Sequence, residues 1–192
     1  MSALSVGSAR GRGVGWWGLW ALVLTEASLF VYLLFAYFYL GAQTHAQWPP
    51  DGPPALLLPA FNTGVLLSSS LAVWLAERCV KHANRGGAFA WQCLAIVLGA
   101  LFVAIQVREW SDKPFSLTSN QYGSLYFTIT GFHLAHVVVG LVVLVCLAGW
   151  TLAGFFDGRR HSALAIGGLY WHFVDAVWLV VFSALYVTPH VW

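Results

Sequence analysis

Apolar residues run almost unbroken through five stretches of this chain, at about 16–40, 55–76, 88–107, 121–150 and 163–187, and the polar residues collect between them. A run of roughly 20 apolar residues is long enough to cross the hydrocarbon of a bilayer as a helix. The pattern therefore predicts an all-α, polytopic membrane protein, a bundle of five transmembrane helices forming one domain over residues 1–192. The breaks have local causes. Pro49, Pro50, Pro53 and Pro54 remove backbone donors and force a loop after the first run. Glu77, Arg78, Lys81 and Arg85 with Gly86 and Gly87 mark the second turn, Arg108 through Asn120 with Pro114 the third, and Gly154, Asp157, Gly158, Arg159 and Arg160 the last. The first run is too long and too aromatic for the core of a signal peptide and is expected to be retained as a span.

Composition excludes the main alternative. Of 192 residues, 59% are hydrophobic and 8% charged, whereas soluble chains carry about 25% charged residues. The net charge of +2 is spread thinly, with no clustered basic face of the kind that binds nucleic acid. Cys79, Cys93 and Cys146 lie far apart and read as small apolar fillers.

The few basic residues give a sidedness, because Lys and Arg in short loops stay on the cytoplasmic side. With the N-terminus inside, Arg10, Arg12, Arg78, Lys81, Arg85, Arg159 and Arg160 face the cytoplasm, and only Arg108 and Lys113 lie outside. The expected orientation is N-terminus in, C-terminus out. Trp16, Trp17, Trp20, Trp74, Trp91, Trp110 and Trp150 fall near span ends, where amphipathic rings prefer the interface. Trp171 and Trp178 do not: they lie inside the fifth span on one face with Asp175.

Candidate chemistry rests on the ionisable residues within spans, each of which costs on the order of 3 kcal/mol or more at the bilayer centre. Five stand out: Glu26, His133, His136, His172 and Asp175. At about 1.5 Å of rise per residue, Glu26, His133 and His172 come to similar depths. Residues three apart share a helix face, which pairs His133 with His136 and His172 with Asp175. The two pairs are expected to face the bundle interior and satisfy one another, with Asp175 accepting from an imidazole or from the Trp171 indole. A polar clip between helices is the plain reading of such a cluster, and a proton-related or lipid-headgroup role the functional one. No ligand set for haem or metal is expected. Glu26 has only Thr25 and Ser28 as polar neighbours on its helix and is expected there as a neutral acid, bonded to another helix, exchanging protons or capping a buried headgroup or water. Close helix contacts are expected at the small-xxx-small pairs Gly131/Ala135 and Ala95/Gly99, with Asn62, Ser68, Ser69 and Ser70 as interhelical donors.

Several strings in order carry a family resemblance: Thr25-Glu26-Ala27-Ser28-Leu29-Phe30; Asn62-Thr63 with Leu66-Leu67-Ser68-Ser69; Arg108-Glu109-Trp110 at a loop end; Tyr122-Gly123-Ser124-Leu125-Tyr126-Phe127; Thr130-Gly131-Phe132-His133 through His136-Val137; and Tyr170-Trp171-His172-Phe173-Val174-Asp175 to Val177-Trp178. Together they resemble subunit III of the haem-copper oxidases, nearest the cytochrome c oxidase type in its five-helix bacterial form. The resemblance implies a subunit with no redox centre and no catalytic residue of its own. It would pack on catalytic subunit I with subunit II in the same complex, where haems and copper reduce oxygen and protons are pumped. It would stabilise subunit I, bind phospholipid and support proton uptake as a multi-pass protein of the bacterial inner membrane. Glu26 falls at the family's carbodiimide-reactive carboxylate, and Leu134 stands where the family has a small residue. The competing readings are an accessory subunit of a quinol oxidase or nitric oxide reductase, and an independent proton-coupled transporter. No inverted repeat or interrupted helix of the kind that builds midplane transport sites supports the transporter.

Overall fold

A computed structural model describes residues 14–44, 48–50, 52–156 and 162–191. Arg10, Arg12, Asp157, Gly158, Arg159 and Arg160 lie outside the described residues. Five helices follow the five apolar runs: α1 (Val14–Gln43), α2 (Leu57–Lys81), α3 (Arg85–Ser111), α4 (Gln121–Leu152) and α5 (Ser162–Phe182). A π-helical turn, Ser183–Val187, and a 3-10 turn, Thr188–His190, extend α5. Every regular element among the described residues is helical, and all five helices are long and apolar enough to span a membrane. Their outward faces carry Trp17, Phe35, Leu57, Phe61, Val97 and Val142 exposed, as expected where lipid is the solvent.

Side-chain caps supply partners for the first backbone donors of α3 and α4. Asn84 Oδ1 accepts from Gly87 N at 2.9 Å and opens α3, directly after Ala83 at φ 56° closes the turn from α2. This tight connection lets α2 and α3 form the most extensive helix pair in the bundle. Asn120, in extended backbone, caps α4 by accepting from Gly123 N at 2.7 Å. A side chain on Gly123 would place Cβ 2.5 Å from the Ser116 carbonyl oxygen, so only glycine fits that cap. Replacing Asn120 by Ala is expected to cost about 1 kcal/mol and to fray the first turn of α4, measurable as faster amide exchange there.

α2, α3, α4 and α5 close into a four-helix ring, with α2 against α5 and α3 between α2 and α4. α1 stands outside the ring, against α4 and α5. One end of the bundle carries Lys81 and Arg85 and is called the basic end below; the other carries Glu109, Lys113 and the loop after α1. In that loop Trp48 closes over Gly41 and packs on Tyr37 and Tyr122.

The centre of the ring is filled by the Trp171 indole, which is wholly buried. It sits between two glycines: a Cβ on Gly99 would lie 2.8 Å from the ring, and a Cβ on Gly140 also 2.8 Å from it. Small residues allow this approach, since apolar packing in lipid gains by close contact and not by escape from water. Ala95 is buried, and Gly99, one turn after it, thus lines the contact as expected. Gly131 and Ala135 do not: Ala135 is exposed and Gly131 meets only the Trp110 ring at 3.9 Å. The residue on α4 that admits the indole is Gly140, two turns further along.

Candidate functional site

Glu26 lies near the middle of α1, where it meets α4. Its Oε2 is 3.0 Å from His136 Nε2. The neighbouring-helix partner expected for Glu26 is thus His136, and Thr25 and Ser28, its polar neighbours on α1, take no part. Both of those hydroxyls turn back to their own backbone, Thr25 to Leu22 O and Ser28 to Leu24 O. His136 Nδ1 meets the carbonyl oxygen of Phe132 at 2.6 Å, and Tyr170 of α5 donates its hydroxyl to the His136 carbonyl at 3.3 Å. Phe30 packs edge-on against the imidazole at 5.3 Å.

This pair opens on a cavity of about 240 Å³ lined by Leu22, Glu26, Ala135, His136, Val139 and Tyr170. It shares Leu22, Val139 and Tyr170 with a second cavity of about 440 Å³, which continues between α1, α4 and α5 along Leu19, Val142, Cys146 and Leu147 to Trp150 and Ala163 near the basic end. The two make one lateral groove, apolar along its length and polar only at its head. Such a groove suits an aliphatic chain, and its head offers one carboxyl–imidazole pair.

His133, one turn from His136, does not join that pair. It is buried in an aromatic cage, 4.8 Å from Trp178, 6.0 Å from Phe102 and 6.4 Å from Phe30 between ring centroids. Neither of its nitrogens has a hydrogen-bond partner among the described residues. The Trp178 indole donates to Thr63 Oγ1 at 2.9 Å, and Asn62 Nδ2 reaches the Phe102 carbonyl at 3.3 Å, so α2, α3 and α5 are tied together at the same level.

The other predicted pair lies on a different seam, between α5 and α2. His172 Nδ1 bonds Ser70 Oγ, and the Trp171 indole donates to Ser69 Oγ at 3.0 Å. Asp175 is buried beside Ser70, with no donor at bonding geometry to either oxygen among the described residues. The expected mutual satisfaction of the two pairs is therefore corrected. Trp171 serves serine and not Asp175, His172 serves serine, and His136 reaches across to α1. Helix-face arithmetic placed each pair on its own helix but carried no information on which neighbour that face meets. Ser69 and Ser70 do act as interhelical groups, while Ser68 bonds only its own helix at Gly64 O.

A third polar cluster lies at the end opposite the basic one. Of the loop-end residues Arg108 and Glu109, Arg108 stays outside and pairs with Asp112 at 3.2 Å, while Glu109 turns in. Its Oε1 accepts from Tyr186 at 2.9 Å, from Tyr126 at 3.2 Å and from Lys113 Nζ at 2.9 Å. The two tyrosine hydroxyls are 2.8 Å apart, and Lys113 also lies over both rings. Sequence reasoning counted Lys113 as a loop charge and missed Tyr186. The i, i+4 spacing of Glu109 and Lys113 was a readable signal; the π-helical turn that aims Tyr186 inward was not. Among the described residues no group of three His, Cys, Asp or Glu side chains is placed to hold a metal ion.

The family model described as "Cytochrome c oxidase subunit III" matches residues 8–190. Among curated relatives, a cytochrome c oxidase subunit 3 of Thermostichus vulcanus is 31% identical over 173 residues, covering 88% of this chain and 85% of the relative. Proteins of the same name from Pisaster ochraceus and Struthio camelus are 35% and 34% identical over 179 and 178 residues, each covering 88% of this chain and 68% of the relative.

Proposed function

The chain belongs to the cytochrome c oxidase subunit III family, and from that premise we propose that it is a non-catalytic accessory subunit that packs on the oxidase's catalytic subunit I, beside subunit II, in a bacterial inner membrane. Membership makes it a multi-pass membrane component of a respiratory oxidase complex; the finer role rests on the Glu26–His136 pair at the head of the groove. An ionisable pair at mid-span is expensive for a merely structural helix contact. Its placement at the head of an apolar channel fits two uses together: an acyl chain of a phospholipid lying in the groove, and proton exchange at its inner end in support of proton uptake by the complex. The haems and copper belong to the partner subunits in this reading, and no step of the oxygen chemistry runs through residues of this chain. The N-terminus faces the cytoplasm, which puts the basic end and the mouth of the groove on the side from which protons are taken up.

The test is a mild-detergent pull-down on this chain with a spectrum and a lipid analysis of what accompanies it. Haem absorbance and stoichiometric phospholipid are expected. In the reconstituted complex, Glu26→Gln is expected to leave assembly intact and to slow turnover-linked proton uptake by about two- to fivefold, well below the hundredfold or more of a group acting at the chemistry itself. A chain that purifies without haem, or unchanged proton uptake in Glu26→Gln, counts against the proposal.

A further inference from the structure

His136 is constrained at both ring nitrogens. Nδ1 lies 2.6 Å from the carbonyl oxygen of Phe132, and a carbonyl oxygen can only accept, so Nδ1 carries a hydrogen. Nε2 is then the one nitrogen whose state can change, and it faces Glu26 Oε2 at 3.0 Å. A bare nitrogen lone pair and a bare carboxylate oxygen at that distance repel, so the contact holds a proton. The proton is either on the carboxyl, with a neutral imidazole accepting, or on Nε2, as imidazolium and carboxylate. The step between the two breaks the O–H bond, forms an N–H bond and leaves the pair's net charge at zero.

Among the described residues the surroundings supply no competing partner. Tyr170 spends its hydroxyl on the His136 carbonyl, Thr25 and Ser28 bond their own helix, and the groove lining includes no Lys or Arg. His133 is the nearest other titratable group on α4, and its ring is enclosed by Phe30, Phe102 and Trp178. We propose that Glu26 and His136 act as one proton-sharing unit, in which His136 is the positioning residue that holds the groove carboxyl's proton. Its functional weight rests on the reading of Glu26 given above, but the sharing itself can be tested separately.

The experiment is infrared spectroscopy of the complete oxidase in phospholipid vesicles, with the Glu26 carboxyl signal assigned by its loss in Glu26→Gln. In the wild type, a strongly hydrogen-bonded or ionised carboxyl is expected. In His136→Phe a free carboxylic acid band should appear at higher frequency, and labelling by a hydrophobic carbodiimide, which attacks the acid form, should speed up about tenfold, the worth of one hydrogen bond. Ser28→Ala, which removes a hydroxyl bonded only to its own helix and outside the groove lining, should leave both readouts unchanged. If His136→Phe does not assemble, the His136 ring modes in Glu26→Gln supply the same test from the other partner and should shift. A Glu26 band at the same frequency in wild type and His136→Phe, or unshifted ring modes in Glu26→Gln, overturns the proposal. Should those null results accompany reduced proton uptake in Glu26→Gln, sharing falls and the functional role stands; shifted bands with unchanged uptake give the reverse.

Discussion

Glu109→Gln should cost the bundle about 3–5 kcal/mol, the usual result of removing one partner from a buried ion pair. The carboxylate is 5% exposed and holds Tyr126, Tyr186 and Lys113 on one oxygen. Those donors come from the loop after α3, from α4 and from the π-helical turn after α5, so one group ties the end of α3 to α4 and to the C-terminal turn. An amide in its place keeps the shape but offers a weaker acceptor and leaves Lys113, whose side chain is 16% exposed, without its counter-charge. The C-terminal turn, held through Tyr186, is expected to loosen first. A denaturation series in detergent measures the loss, and faster proteolysis near Thr188 locates it. The double variant Glu109→Gln with Lys113→Met should recover a good part of the loss, since the cost lies in the unpaired charge more than in the missing attraction. A double variant as unstable as the sum of two singles would show that the pair is not the source.

The five spans were legible because their cause is local: a bilayer demands long apolar runs, and proline, glycine and charge end them. The caps at Asn84 and Asn120 agree with that reading. Partner choice was legible only in part. Glu26, His133, His136, His172 and Asp175 were all singled out as costly, yet they divide between three places in the fold. The reason is that α1 stands outside the ring and meets α4, which brings Glu26 to His136 across 110 residues of sequence. Nothing in periodicity distinguishes that arrangement from one in which α1 packs on its sequence neighbour α2. Likewise the serines of α2 were readable as interhelical donors, but Ser69 accepts from Trp171, and that contact and the Ser70–His172 bond depend on α2 and α5 being neighbours in the ring. Glu109 shows the same limit at a span end: the pairing with Lys113 follows helix spacing, while the two tyrosines arrive from other elements.

Trp171→Ala is the second large effect, expected at about 3 kcal/mol, the lower end of what removing a buried aromatic side chain costs. The lower end applies because a bilayer offers the indole an apolar alternative, so the loss is mainly of dispersion contacts and of the filled space, not of escape from water. The ring lies between Gly99 and Gly140, and its N–H goes to Ser69, which is itself buried. Truncation therefore opens a void where α2, α3, α4 and α5 converge and also leaves a serine hydroxyl short of its donor. The converse change tests the same packing from the other side. Gly140→Ala puts a Cβ 2.8 Å from ring carbons that Gly99 on the opposite wall keeps from retreating, an overpacking worth about 1–3 kcal/mol. Combining Gly140→Ala with Trp171→Phe should be less unstable than the two changes taken separately, because the smaller ring yields the volume that the methyl takes, and residues in contact do not add. Thermal unfolding in a fixed detergent measures all four variants. Strict additivity would mean that the indole is not gripped between the two glycines, and the four-helix ring would then need another explanation for its closure.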